Sequence, residues 1–250
     1  MTGLAISLVI PAHNEEEYLP RLLESVARAR ARYRDGAGAI EVILADNAST
    51  DRTASLGRAW GCRVVSVAKR TIGAARNGGA AAAHGGILAF VDADSQIDAE
   101  TFNEITSVMA DPTVIGGTSG VRFERLSAGI VATHAMLALV GAAVGGWRSL
   151  RGMHLDTGLV FCRRSDFDAV GGYREDRLFA EDVRFLLDLR RVARTRGQRI
   201  VRGIRARALF STRKFDKYGD WHYFTMPLRL AWSALRGRDD LARRYWYQDR

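Results

Sequence analysis

Apolar residues recur along this chain in two rhythms. Continuous apolar runs at residues 5–10, 40–45, 62–67 and 87–91 have the length and β-branched content of strands buried on both faces. Between the first two the spacing changes to threes and fours. Leu19, Leu22, Leu23 and Val26 form one stripe, so a helix is expected from Asn14, with Glu17 three residues on in a pattern like a capping box. Ser49 is the expected N-cap of a second helix running through Trp60, and an Ala-rich helix is expected over 72–84. Further strands are expected at 114–123 and 158–162. Further helices should run from Asp98 through Met109, from Ser165 to a stop at Gly171-Gly172, and from the Glu181-Asp182 pair. The opening alternation of strand and helix implies an α/β fold with a doubly wound, mainly parallel sheet, whose ligands lie at the carboxyl ends of the strands.

Residues 129–146 form an apolar run interrupted by Gly141, Gly145 and Gly146. A bilayer crossing needs about 20 apolar residues, so this run reads as a buried or partly membrane-facing helix. The Arg- and Gly-rich stretch 147–157 reads as a loop.

At 250 residues, 47% hydrophobic and 26% charged, the chain can bury one large α/β domain or two small ones. No basic stretch followed by an apolar core opens it, so no secretion signal is expected. Cys62 and Cys162 are too few and too far apart for a disulfide framework or a metal knuckle, which favours a reducing, cytoplasmic setting. The net charge of +9 is concentrated: residues 183–217 hold twelve Arg or Lys against Asp188 and Asp216, or +10, leaving −1 for the remainder. Such a segment attracts nucleic acid, anionic lipid or a phosphorylated substrate, unless it is a solvated helix face.

The fourth apolar run ends in Asp92-Ala93-Asp94. If extended geometry persisted, the two carboxylates would lie about 6 to 7 Å apart on one side and repel by about 2 to 3 kcal/mol at an effective dielectric near 20. A hard cation such as Mg2+ or Mn2+, with a substrate diphosphate completing its shell, relieves that repulsion, whereas a cap or loop role leaves it to solvent. Arg76 is suited to a diphosphate by its planar fork, or is a surface residue of the Ala-rich helix. Glu181 and Asp182 fit either a helix dipole or a general base. Gly36-Ala37-Gly38 lacks the third glycine of a dinucleotide fingerprint, and the 73–79 stretch lacks the Lys and Ser or Thr of a P-loop.

Taken together, Val9-Ile10-Pro11-Ala12-His13-Asn14-Glu15, the turn from Asp46 to Asp51, Gly73-Ala74-Ala75-Arg76-Asn77, Val91-Asp92-Ala93-Asp94 and Glu181-Asp182 resemble the GT-A fold, family 2 glycosyltransferases. The resemblance runs from about Ser7 to Arg196. It implies a GT-A domain over 1–220, with a nucleotide-sugar-binding half at 1–97 and an acceptor-binding half at 98–220, followed by a helical tail at 221–250. It implies a nucleotide-diphosphate sugar as donor, with uridine as the expected base, and transfer with inversion to a hydroxyl acceptor. Asp46 would hold the base, Pro11, Ala12 and Glu15 would line the nucleotide site, and Arg76 would sit near base or phosphate. Asp92 would reach ribose or metal, Asp94 would bind Mg2+ or Mn2+, Asp182 would be the catalytic base, and His222 would be either a late additional metal ligand or a packing or acceptor contact.

Asn47 stands where many members carry a second acid, and no Gln-x-x-Arg-Trp follows Asp182, so processive synthesis is not expected. Two other classes stay open: a nucleotidyltransferase on a related sheet, and an inactive relative binding anions or membrane. The +10 segment and the 129–146 run together raise the expectation of peripheral contact with the inner face of a membrane and of a lipid-linked or phosphorylated acceptor, with no nucleic acid.

Overall fold

Strand β1 (Ile6–Ala12) is buried along its whole length because it lies between two parallel partners, β2 (Ile40–Asp46) and β4 (Ile87–Phe90). The structure, a computed structural model, describes residues 5–133, 135–136, 158–176, 181–221 and 224. Strand β3 (Arg63–Ser66) adds in parallel to β2, while β7 (Val160–Arg163) runs antiparallel to both β4 and β6 (Val114–Phe123). With β5 (Ser95–Gln96) and β8 (Arg199–Phe210) the sheet order is β3-β2-β1-β4-β7-β6-β8-β5. Two antiparallel steps restore the direction of β4 in β6. The carboxyl ends of β1, β2, β4 and β6 therefore share one edge.

Each face of the sheet carries its own core. On one, α1 (Leu19–Ala31) and α4 (Thr101–Met109) insert Leu19, Leu22, Leu23, Val26, Phe102 and Ile105 against Leu8, Ile10 and Phe161. On the other, α3 (Ile72–Ala81), α5 (Arg164–Val170) and α6 (Glu181–Thr195) bring Ala80, Phe167, Phe185 and Leu189 against Val9, Leu88 and Phe90. Helix α3 sits unusually close to the sheet, and glycine permits it. A Cβ on Gly79 would collide with Val9, and one on Gly73 would lie 2.5 Å from the carbonyl oxygen of Arg174.

Several elements start later than the apolar pattern suggests. Helix α1 begins at Leu19, because Asn14 adopts φ 53° and its side chain serves the neighbouring loop instead of a helix end. Helix α2 (Thr53–Ala59) starts beyond Ser49, whose hydroxyl accepts from the Asn14 N–H. Strand β4 stops at Phe90, so Asp92 and Asp94 sit in a turn closed by the Ser95 N–H donating to the Asp92 carbonyl. The strand spacing assumed for that pair does not apply. Helix α3 starts where expected, capped by Thr71, whose hydroxyl accepts from Ala74 N–H, and ends earlier, at Ala81. The basic segment is divided among α6, β8 and α7 (Arg213–Tyr218). Residues 128–133 are helical; most of the 129–146 run, the 147–157 loop and almost all of the 221–250 tail, His222 included, lie outside the described residues.

The chain divides into two compact units, residues 1–121 with 157–209 and residues 122–156 with 210–250. Within the second, Arg125 forks onto Asp220 and Asp216 at 2.6 and 2.7 Å, and Phe123 meets Phe210 edge-on. Among the described residues no helix is long and apolar enough to cross a membrane. Both cysteines are unpaired and buried, and burial pushes the Cys62 thiol up to about 11 and that of Cys162 further in the same direction.

Candidate active site

Two loops leave the shared edge from β1 and β2, and they are zipped together by reciprocal hydrogen bonds. Asn14 Oδ1 accepts from Thr50 N–H, Glu15 N–H donates to Thr53 Oγ1 at 2.7 Å, Glu16 N–H donates to Asp51 Oδ2, and Arg52 N–H returns to Glu16 Oε2. Asn14 and Ala48 are the two non-glycine residues with positive φ among those described, one in each loop. A left-handed alanine costs about 1 to 2 kcal/mol, so the zipper holds both loops in a shape they would not otherwise adopt. It gathers Pro11, Ala12, Glu15 and Asp46. Asp46 is buried and one of its oxygens accepts from Ser49 N–H at 3.3 Å.

Asn47 closes the floor of this region. Its amide donates to the carbonyls of Val67 at 3.0 Å and Lys69 at 2.8 Å. A carboxylate there has no proton to donate, so both bonds require the amide. His13 bridges Asn47 and Arg70, with Nδ1 2.9 Å from the Asn47 carbonyl and Nε2 2.7 Å from Arg70 Nη2. Because a guanidinium only donates, Nε2 accepts and Nδ1 carries the proton.

Arg76 organises the opposite side. It projects from α3, is buried, and places Nη2 2.9 Å from Asp92 Oδ1 and Nη1 2.6 Å from Glu181 Oε1, with its guanidinium 5.0 Å above the Tyr173 ring. Burial alone would lower its pKa; Asp92, Tyr173, Glu181 and Asp182 outweigh that and hold it above the ordinary value. Burial raises the Glu181 carboxyl above its usual range against the pull of Arg76, and raises Tyr173 well above a free phenol. Asn77 pins the same loop, since its amide donates to the Tyr173 carbonyl and to Glu175 while its oxygen accepts from Tyr173 N–H. Arg76 is thus a buried cation joining the edge acid of β4 to the first turn of α6, where Asp182 follows, half-exposed. Its Nε lacks a hydrogen-bond partner.

The residues singled out from the sequence fall into these two clusters, apart from His222, which lies outside the described residues. Tyr173, Asn77 and His13 enter the site without a role expected from the sequence, whereas Glu181, expected as a helix-dipole acid or a general base, is the buried partner of Arg76. Glu181, Asn77 and His13 stood inside the quoted motifs; nothing in the local sequence marked Tyr173.

A metal fits here through oxygen donors. The Asp92 side chain is 40% exposed despite its bond to Arg76, and Asp94 lies two residues on, half-exposed, in the same turn. No group of three or more His, Cys, Asp or Glu that could enclose an ion occurs among the described residues. Two carboxylates with the remaining positions left to water and substrate oxygens suit Mg2+ or Mn2+ rather than a structural zinc.

A half-parallel sheet with loops and acids at its carboxyl edge defines a GT-A type fold. Residues 7–145 match the model of Glycosyl transferase family 2, and the chain belongs to that family. An uncharacterised glycosyltransferase of Mycobacterium tuberculosis is 37% identical over 99 residues, which is 40% of this chain and 41% of the relative. The 4,4'-diaponeurosporenoate glycosyltransferase of Staphylococcus haemolyticus is 36% identical over 106 residues, covering 40% of this chain and 26% of that protein. The matches thus span well under half of these relatives. Among solved structures, glucosyl-3-phosphoglycerate synthase of Mycobacterium tuberculosis, with Mn2+, UDP and glucosyl-3-phosphoglycerate, superposes with a TM-score of 0.63 at 22% identity, covering 80% of this chain and 70% of that one. A mannosyltransferase of Pyrobaculum calidifontis with GDP-Man and Mn2+ gives 0.61 at 20% identity, covering 84% and 57%. At these identities the likeness is one of fold.

Proposed function

We propose that this protein is a metal-dependent, inverting, non-processive glycosyltransferase that moves a sugar from a nucleotide-diphosphate sugar, with UDP as the first nucleotide to test, to a hydroxyl acceptor. The observation that carries this reading is the pair of bonds from Arg76 to Asp92 and Glu181, which ties the donor-edge acid to the helix bearing Asp182. In this reading Pro11, Ala12, Glu15 and Asp46 contact the nucleoside. Asp92 and Asp94 hold Mg2+ or Mn2+, with His222 an additional candidate ligand. The ion, when bound, neutralises charge developing on the leaving diphosphate. Asp182, half-exposed at the start of α6, takes the proton from the acceptor hydroxyl as the new bond forms on the opposite side of the anomeric carbon. Arg76 is engaged by two carboxylates and acts by positioning them. The relatives' bound UDP, GDP-Man and Mn2+ support the donor and ion classes proposed here.

Asp182→Asn is expected to lower transfer from UDP-sugars by about 10² to 10⁴-fold while nucleotide binding persists. NMR of the product should show an inverted anomeric centre; retention would exclude Asp182 as the base of a single displacement. We further propose a cytoplasmic protein in which the basic segment allows peripheral contact with an anionic membrane.

A further inference from the structure

Strand β8 reads as an alternating strand with one interruption. Ile204, Ala206 and Ala208 are buried, and the residues between them, Arg205 and Arg207, are exposed. Val201 and Ile204 are three residues apart yet pack into the same core. A strict alternation would place them on opposite faces. Gly203, at φ 61°, inserts the extra residue as a bulge and restores the register. Arg202, Arg205 and Arg207 consequently share the other face with Ile200, which packs against the core under α6.

That face is also the face of the active site. Phe90 packs in the α3–α6 core, and Asp92, two residues beyond it, bonds Arg76 of α3, which in turn bonds Glu181 of α6, so Asp92 lies on that side. The ladder relates the two regions laterally. Phe90 pairs with Val160 and Val160 with Thr118, placing Gly120 level with Asp92, and a Cβ on Gly120 would touch the Arg207 side chain at 3.4 Å. Arg207 therefore stands at the level of Asp92, three strand spacings away, about 14 Å across the sheet. Arg199 N–H bonds to the Thr113 carbonyl, and a Cβ on Gly117 would abut the Val201 carbonyl, so β8 runs in the direction of β6 and its arginines climb toward the shared edge.

These cations are not matched by acids. No carboxylate among the described residues pairs with Arg202, Arg205 or Arg207; Glu104 reaches β8 but accepts from the main-chain N–H of Ala206. Half-buried Arg202 instead faces another cation, Arg190 of α6, and burial with that repulsion lowers its pKa. Three guanidinium groups on one strand face beside a sugar-transfer site, with like charge behind them, match an anion of several oxygens.

We propose that Arg202, Arg205 and Arg207 form the subsite for a phosphate or diphosphate carried by the acceptor, so that the acceptor is a phosphorylated alcohol whose hydroxyl reaches Asp182. The assignment rests on the glycosyl-transfer reading above. Phosphate esters of soluble metabolites and of lipids share this chemistry, and the test separates them.

The test is calorimetric titration of the full chain with inorganic pyrophosphate in EDTA, where a metal-borne diphosphate site is silent, comparing wild type with Arg205→Ala/Arg207→Ala. The double variant should bind pyrophosphate at least tenfold more weakly and should keep its affinity for UDP with Mn2+. Flotation with phosphatidylcholine vesicles, with and without phosphatidic acid, distinguishes the sources: capture lost in the variant marks a lipid-borne phosphate, and pyrophosphate binding without capture marks a soluble one. Equal pyrophosphate affinity in both proteins, or neither pyrophosphate binding nor capture by wild type, overturns the assignment. If UDP with Mn2+ still binds in that case, the anion subsite alone falls; if it does not bind, the glycosyl-transfer reading falls first.

Discussion

Arg76 and Glu181 lie 105 positions apart in sequence and 2.6 Å apart in space, both side chains 8% exposed. Removing Arg76 alone leaves the buried Glu181 carboxylate without its cation, while removing Glu181 alone leaves Arg76 with Asp92 only. Arg76→Met is expected to destabilise by about 3 to 5 kcal/mol, and Arg76→Met/Glu181→Leu by clearly less than the two single changes summed, since replacing a buried pair by apolar groups often approaches neutrality. Urea unfolding of the four proteins measures this. Arg76→Lys should not restore activity, because an ammonium lacks the fork that reaches Asp92 and Glu181 together.

Close backbone approach sets a second expectation. Gly73→Ala would force a methyl to within 2.5 Å of the Arg174 carbonyl oxygen, pushing the Tyr173 loop from α3, whereas Gly86→Ala meets nothing within 4 Å. The first should cost about 1 to 3 kcal/mol in thermal unfolding and weaken transfer; the second should stay within about 0.5 kcal/mol of wild type.

Asn47 holds two carbonyls with its amide hydrogens. Asn47→Asp sets a carboxylate against both carbonyls and should lose about 2 kcal/mol or more in urea unfolding. Stability equal to wild type would show that these bonds contribute nothing.

Glu41 sets a pH dependence away from the site. Burial would raise its pKa, but donation from the Ser7 hydroxyl at 2.5 Å, His84 N–H and Gly85 N–H outweighs burial and holds the carboxyl below its ordinary 4.5. A depressed folded-state value means the native state binds the proton less readily than the unfolded chain. The stabilisation is complete above the unfolded value of 4.5 and disappears as pH falls through the folded one. Thermal melts should show Glu41→Gln less stable than wild type near neutrality by about 1 to 2 kcal/mol, with the difference narrowing in acid.

The parallel half of the sheet was legible because each of its strands is a continuous apolar run and α1 carries a regular leucine stripe. The Val114–Phe123 boundaries match the expectation from sequence. What local pattern could not convey was long-range. Asn14 and Ser49 look like helix caps, and each is used by the other's loop. The Asp92–Asp94 spacing suggests a strand, but the turn at Ser95 ends it. Strand β8 was hidden in a basic run because arginine alternates with small residues and the Gly203 bulge breaks the parity. Tyr173 joins the site only through Asn77 and Arg76, which no periodicity announces.

The most direct measurement of the central claim is calorimetric titration of UDP and GDP into wild type and Asp94→Asn, each with and without Mn2+. Binding that requires Mn2+ in wild type and weakens at least tenfold in Asp94→Asn is the expected result. Nucleotide binding of equal strength in both proteins, indifferent to the metal, would contradict a metal–diphosphate site at the end of β4.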